Sequence, residues 1–179
     1  DIIVATRNGM GIRFNEEDVR PMGRTATGVR AILLSDDDYV VSADIVREGD
    51  KLLNVTEKGY GKRTDEANFS VQHRGGKGVK IHQITDKTGK LSGVIKVGDN
   101  EELMIVTSEG VIIRLRGKEI STFGRISQGV KLINLGAGIT VAGVAKISED
   151  DIMEQEEAET ENVIDEFSIP EENNNETDE

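Results

Sequence analysis

The sequence predicts an all-β fold assembled from three copies of one four-stranded unit, and three observations carry that expectation. First, the chain repeats itself. Ile2-Ile3-Val4-Ala5-Thr6, Leu52-Leu53-Asn54-Val55-Thr56 and Leu103-Met104-Ile105-Val106-Thr107 align at intervals of 50 and then 51 residues. The same register superimposes Gly9, Gly59 and Gly110; Arg13, Arg63 and Arg114; Arg24, Arg74 and Arg125; Gly28, Gly78 and Gly129; and Arg30, Lys80 and Lys131. Second, the apolar runs are short, rich in β-branched residues and separated by glycine-containing turns. Third, nothing before Asp150 shows helical periodicity. A repeat of about 50 residues holding four strands has the arithmetic of a propeller blade.

Each unit justifies its elements in the same order. An apolar strand comes first, followed by a turn: Arg7-Asn8-Gly9, Glu57-Lys58-Gly59 or Ser108-Glu109-Gly110. Glycine in third place supplies the positive φ of a tight hairpin. A second strand ends at Phe14, Thr64 or Leu115. A polar connection of 14 residues then carries the Arg24, Arg74 or Arg125 position. Two more strands are expected to close each unit: 29–34 with 39–45, 79–85 with 91–97, and 130–135 with 140–147. The expected blades are therefore 1–50, 51–100 and 101–148, followed by a tail at 149–179.

Composition narrows the function classes. Only 3% of residues are aromatic, too few for recognition of single strands by base stacking. With no cysteine, disulfides and thiolate zinc sites are excluded, and a reducing compartment is compatible. No apolar run approaches the roughly 18 residues of a membrane span, and no membrane partner is expected. The net charge of −12 is unevenly distributed. Residues 149–179 carry 15 acids and no base, leaving 19 acids against 22 bases over 1–148. A mildly basic β domain thus precedes an acidic tail, which is expected to be disordered because it has little apolar surface to bury. That tail suggests either a brake on binding of polyanions or a solubilising extension. The chain opens at Asp1 rather than Met, and three blades do not close a ring of four to eight. About three further blades are expected to precede it.

The loop Gln72-His73-Arg74-Gly75-Gly76-Lys77-Gly78 concentrates the chemistry. Paired glycines at Gly75 and Gly76 strip side chains from the backbone, Arg74 can fork two donors onto a phosphate, and Lys77 adds a point charge. A nucleotide-binding P-loop does not fit: Lys77 is followed by Gly78 rather than Ser or Thr, and Val71 stands where the first glycine belongs. His73 and His82 have no evident carboxylate partner, and Asp36-Asp37-Asp38 reads as a solvated turn. No catalytic residue, metal site or cofactor is expected in this segment. The recurring cations instead suggest a curved positive track for the backbone of duplex DNA. Arg24, Arg30, Arg63, Arg74, Lys77, Lys80, Arg125 and Lys131 are the candidate contacts, with Gly75 and Gly76. For the Arg13/Arg63/Arg114 position a solvated strand end is equally compatible.

These motifs resemble the C-terminal domain of the A subunit of DNA gyrase. Gln72 to Gly78 is similar to the family's Gln-Arg-Arg-Gly-Gly-Lys-Gly box, with His73 in place of Arg. Gly59-Tyr60-Gly61-Lys62-Arg63-Thr64, Met22-Gly23-Arg24-Thr25-Ala26-Thr27-Gly28-Val29 and Gly124-Arg125-Ile126-Ser127-Gln128-Gly129-Val130 resemble its blade signatures. The resemblance covers 1–148. It implies a six-bladed β-pinwheel whose blades exchange strands, with this chain as the last three blades and tail. It further implies a positive wrap of duplex DNA that lets an ATP-dependent type II topoisomerase introduce negative supercoils. ATP and Mg²⁺ are then expected on the gyrase B protein, and the nucleophilic tyrosine lies in another segment, so Tyr39 and Tyr60 do not inherit that role. The implied partners are the gyrase B protein and a second copy of gyrase A in an A2B2 assembly, in the bacterial cytoplasm at the chromosome. The family's principal box belongs to the first blade, which makes Gln72 to Gly78 a secondary version. The C-terminal domain of the A subunit of topoisomerase IV is the neighbouring alternative. A protein-interaction propeller of the WD40 or kelch type is the alternative from another class, disfavoured by the absence of Trp.

Overall fold

Three antiparallel sheets follow one another along the chain. Their strands are β1 (Ile2–Thr6), β2 (Met10–Phe14), β3 (Val40–Ile45), β4 (Lys51–Thr56), β5 (Tyr60–Asp65), β6 (Val79–Lys80), β7 (Leu91–Lys96), β8 (Glu102–Thr107), β9 (Ile112–Arg116), β10 (Val130–Lys131) and β11 (Val141–Lys146). The sheet orders are β3-β1-β2-β6, β10-β5-β4-β7 and β11-β8-β9. This computed structural model describes residues 1–147, so the expected acidic tail lies outside the described residues.

The hairpin that opens each repeat explains why the register residues recur. Gly9, Gly59 and Gly110 all take φ near +80°. The hydroxyls of Thr6, Thr56 and Thr107 accept hydrogen bonds from the amides of Met10, Tyr60 and Val111, at 3.3, 3.1 and 3.1 Å. One buried threonine therefore staples each turn to the strand that follows. The first strand of a repeat lies between two neighbours and is covered on both sides. In β4, Leu52 packs into the apolar cluster holding Ile3, Ala5, Ile81 and Val94, while Leu53 and Val55 pack into the one holding Leu103, Ile105 and Val141. That double burial is why these strands read as near-continuous apolar runs, interrupted in β4 by Asn54, rather than alternating ones.

The expectation that the third strand closes its own unit needs correction, whereas the exchange of strands implied by the family resemblance is what the sheets show. The repeat does not close on itself; its third strand crosses to the sheet of the preceding repeat. β6 pairs with β2, matching Met10 to Lys80 and Gly11 to Val79. β10 pairs with β5 in the same way, matching Tyr60 to Lys131 and Gly61 to Val130. These crossing strands are two residues long, shorter than the expected 79–85 and 130–135. Residues 29–34 form no strand, since no preceding sheet is present among the described residues for them to join. Their backbone is held instead by the glycine loop, with Gly75 N–H donating to Ala31 O at 2.6 Å and Leu33 N–H to Gly76 O at 2.8 Å. The third sheet has three strands, because no following repeat among the described residues supplies its outer strand.

The recurring glycines before these strands are explained by the crossing. Gly78 passes over Gly11, and Gly129 over Gly61; a Cβ at either site would lie 2.8 or 2.6 Å from the carbonyl carbon beneath. Gly28 shares their positive φ but has nothing within 4 Å of that position.

Candidate nucleic-acid interface

The candidate cations divide into two groups. Arg63, expected to contact DNA, is 5% exposed and does not face solvent. Its Nε donates to Ile120 O at 2.8 Å, and its Nη1 is bound by the Asp99 carboxylate. The equivalent Arg13 donates from Nη1 to Phe69 O and Glu66 O of the next repeat, at 3.2 and 2.9 Å. Residues 69 and 120 are equivalent, so this arginine is a latch from one repeat to the next. In these two copies the carbonyls of the next repeat account for the cation, whereas Arg114 is exposed and paired with Glu102; Arg63 stands apart from the exposed candidates. Hydrogen bonds from Arg63 and Lys51 hold the Asp99 carboxyl below the ordinary aspartate range.

The remaining cations lie on the connections and the crossing strands. Arg24, Arg30, Lys77, Lys80 and Lys131 are exposed; Arg74 and Arg125 are half-buried. The half-buried pair follows one rule: Arg74 Nη1 donates to Arg30 O at 3.1 Å, and Arg125 Nη1 donates to Lys80 O. Each arginine therefore sits against the cation-bearing crossing segment of the repeat before it. The contacts bring Arg30 beside Arg74 and Lys80 beside Arg125. Arg74 also donates from Nε to Asp18 O at 2.8 Å, leaving guanidinium capacity for an anion.

The glycine loop is only partly the phosphate cradle that its composition suggests. The Gly75 amide is committed to Ala31 O, and φ of +83° explains why glycine stands there. Gly76 is different. Its φ is not positive, and the nearest atom to a Cβ there would be Ile12 Cδ1 at 3.7 Å, an ordinary contact. Neither strain nor packing demands glycine at 76, so its missing side chain leaves open backbone beside Lys77. His73 is fully exposed, with Nδ1 3.8 Å from the Asp18 carboxylate. Gln72 is half-buried, and its backbone N–H donates to Arg13 O at 2.7 Å, which anchors the start of the loop.

Two groups escape sequence reasoning. Lys87 and Lys131 lie 5.4 and 5.8 Å from the centroid of the Tyr60 ring, within cation–π range. With Lys58, Leu135 and Ile139 they line a cavity of about 310 Å³. Lys87 has no cation at the equivalent positions Asp37 and Gly138, so repetition does not signal it. Lys62 is completely buried, and its ammonium donates to Gly124 O at 2.9 Å and Arg125 O at 2.6 Å. Burial, reinforced by the Arg125 charge, pushes it down to about 8.

Among the described residues no cluster of three metal-ligating side chains occurs, and no helix is long and apolar enough to cross a membrane. The model of the DNA gyrase C-terminal domain, beta-propeller, matches residues 1–47, 50–97 and 101–151. The chain belongs to that family. Over 84% of its length it is 46% identical to the DNA gyrase A subunit of Staphylococcus epidermidis (strain ATCC 12228) and 47% identical to that of Staphylococcus aureus (strain NCTC 8325). It spans only 17% of either relative. A solved gyrase A C-terminal domain superimposes with TM-score 0.76 at 28% identity, over 82% of this chain and 50% of that one. The C-terminal domain of a DNA topoisomerase IV gives TM-score 0.79 over 90% and 51%, but at 24% identity it shows the shared fold alone.

Proposed function

We propose that this segment binds and wraps duplex DNA as part of the A subunit of a DNA gyrase. The observation that carries the proposal is the stepwise placement of Arg30 with Arg74 and Lys80 with Arg125 on successive repeats, flanked by exposed Lys77 and Lys131. A duplex following cations set at equal steps around neighbouring blades must curve. Bending a short site by 40–90° costs on the order of 1–6 kcal/mol, which phosphate contacts and counterion release offset. In this reading the segment supplies binding and no catalytic group. Strand passage, ATP and Mg²⁺ belong to other parts of the assembly with the gyrase B protein and a second copy of gyrase A, in the bacterial cytoplasm.

The test is duplex binding across a salt series, comparing the unmodified chain with Arg74→Ala/Lys77→Ala and Lys77→Ala/Lys80→Ala. Each lost phosphate contact flattens the slope of log affinity against log salt by about 0.9, so both doubles lose roughly 2. The second double removes only exposed side chains and leaves the Arg74 hydrogen bonds intact. Unchanged slopes in both would place the DNA elsewhere.

A further inference from the structure

The three repeats fill one core position set in opposite ways. In the first repeat Val4, Ile12, Phe14 and Ile32 form a buried apolar cluster. In the third, the equivalent Ile105, Ile113, Leu115 and Ile133 belong to another. In the second the same four positions are Asn54, Lys62, Thr64 and His82, each with no exposed surface. Asn54 Oδ1, Thr64 Oγ1 and both His82 ring nitrogens are buried without a hydrogen-bond partner. Such a core is costly relative to the apolar solution used on either side.

What the polar set achieves is seen at the neighbouring loop. In the second repeat, Gly75 N–H ties its loop to Ala31 O. The third repeat has Ile126 and Ser127 in place of Gly75 and Gly76. There the carbonyl equivalent to Ala31 O, that of Ile81, accepts instead from Asn54 Nδ2 at 3.0 Å. The loop is gripped from beneath by Lys62, through the carbonyls of Gly124 and Arg125. The backbone ties on either side are kept, from Phe123 N–H to Arg63 O at 2.8 Å and from Gln83 N–H to Ser127 O at 3.1 Å. Asn54 and Lys62 thus replace a backbone tie with side-chain ties, and both stand on paired positions of β4 and β5.

We infer that Lys62 is a positioning residue for DNA binding: the polar core of the middle blade fixes the 124–129 loop so that Arg125 meets the duplex. The inference rests on the proposed DNA-binding function and adds to it a buried residue that cannot touch DNA. It requires that stability and binding separate.

The test uses the full chain in two variants. Asn54→Ile/Lys62→Ile/Thr64→Leu/His82→Ile installs the third repeat's own set, and Lys62→Met removes only the ammonium. The quadruple variant is expected to melt higher than the unmodified chain, yet to bind duplex DNA with a salt slope flatter by about one contact. Lys62→Met is expected to lose the same slope and to exchange amide hydrogens faster at 124–129, with unchanged rates at 73–78. A folded variant with unaltered slope and unaltered exchange would overturn the inference. If the unmodified chain bound no DNA, the proposed function would fall by itself. The exchange rates at 124–129 would then decide whether Lys62 holds the loop.

Discussion

Replacing Gly129 by alanine tests whether strand exchange, rather than turn geometry, explains the recurring glycine. At Gly129 φ is +71°, and an added Cβ would sit 2.6 Å from the carbonyl carbon of Gly61 and 3.1 Å from Lys62 Cβ. Backbone strain at a left-handed residue costs roughly 1–2 kcal/mol. Forcing a methyl between two backbones adds about 1–3 kcal/mol, because the atoms beneath belong to β5 rather than to a flexible side chain. The expected loss is therefore about 2–5 kcal/mol. Gly28→Ala is the internal control: its φ is +86° but its surroundings are empty, so only the strain of about 1–2 kcal/mol applies. At roughly 2–4 °C per kcal/mol for a chain of this size, Gly129→Ala should melt about 4–20 °C lower and Gly28→Ala about 2–8 °C lower. Chemical denaturation of both variants gives the free energies directly. Equal losses at the two sites would refute the argument, since they share their φ and differ only in what lies beneath.

Two further outcomes follow from the buried groups. Arg63→Ala leaves Ile120 O without its donor and should cost about 1–3 kcal/mol. The salt slope of DNA binding should not change, and a flatter slope would restore Arg63 to the interface. His82, buried beside the Lys62 charge, is pushed down to about 4. The folded state therefore refuses a proton that the unfolded chain accepts near its ordinary 6.5, and stability should fall as pH drops from about 6.5 to 4. His82→Ile should flatten that part of the melting profile; an unchanged profile would assign the acid loss to other groups.

What was legible in the sequence was whatever the chain settles locally. Thr6, Gly9 and their equivalents set a hairpin with neighbours a few residues away, so their spacing gave both the strands and the register. The destination of the third strand was hidden from the repeat itself, which shows which positions are equivalent and not which copy they join; only the family resemblance implied the exchange. A trace of it lay in Gly11 and Gly61, glycines inside strands, where an added Cβ would meet Ile81 or Leu132 of the incoming segment. The Arg13/Arg63/Arg114 position shows that recurrence alone does not name a role: Arg13 and Arg63 hold carbonyls of the next repeat, while Arg114 is exposed and paired with Glu102. Arg74 and Arg125 lie on connections and Lys80 and Lys131 on the crossing strands, at positions whose equivalence the repeat shows. Lys87 was invisible because it occurs in one copy only. The polar core was in plain view, since Asn54 aligns with Val4 and Ile105, but its meaning needed the hydrogen bonds of Lys62 to the next loop.

The offset between covalent repeats and sheets also governs how the protein is made. Synthesis runs from the N-terminus, and β2 lacks its outer partner until Lys80 has left the ribosome; β5 waits likewise for Lys131. Each blade is thus finished by its successor, and during translation the newest sheet always presents one unpaired edge. Such an edge is open to mispairing with another nascent chain. A truncation placed at a repeat boundary would recreate that state permanently, whereas one placed after a crossing strand would leave the preceding sheet complete.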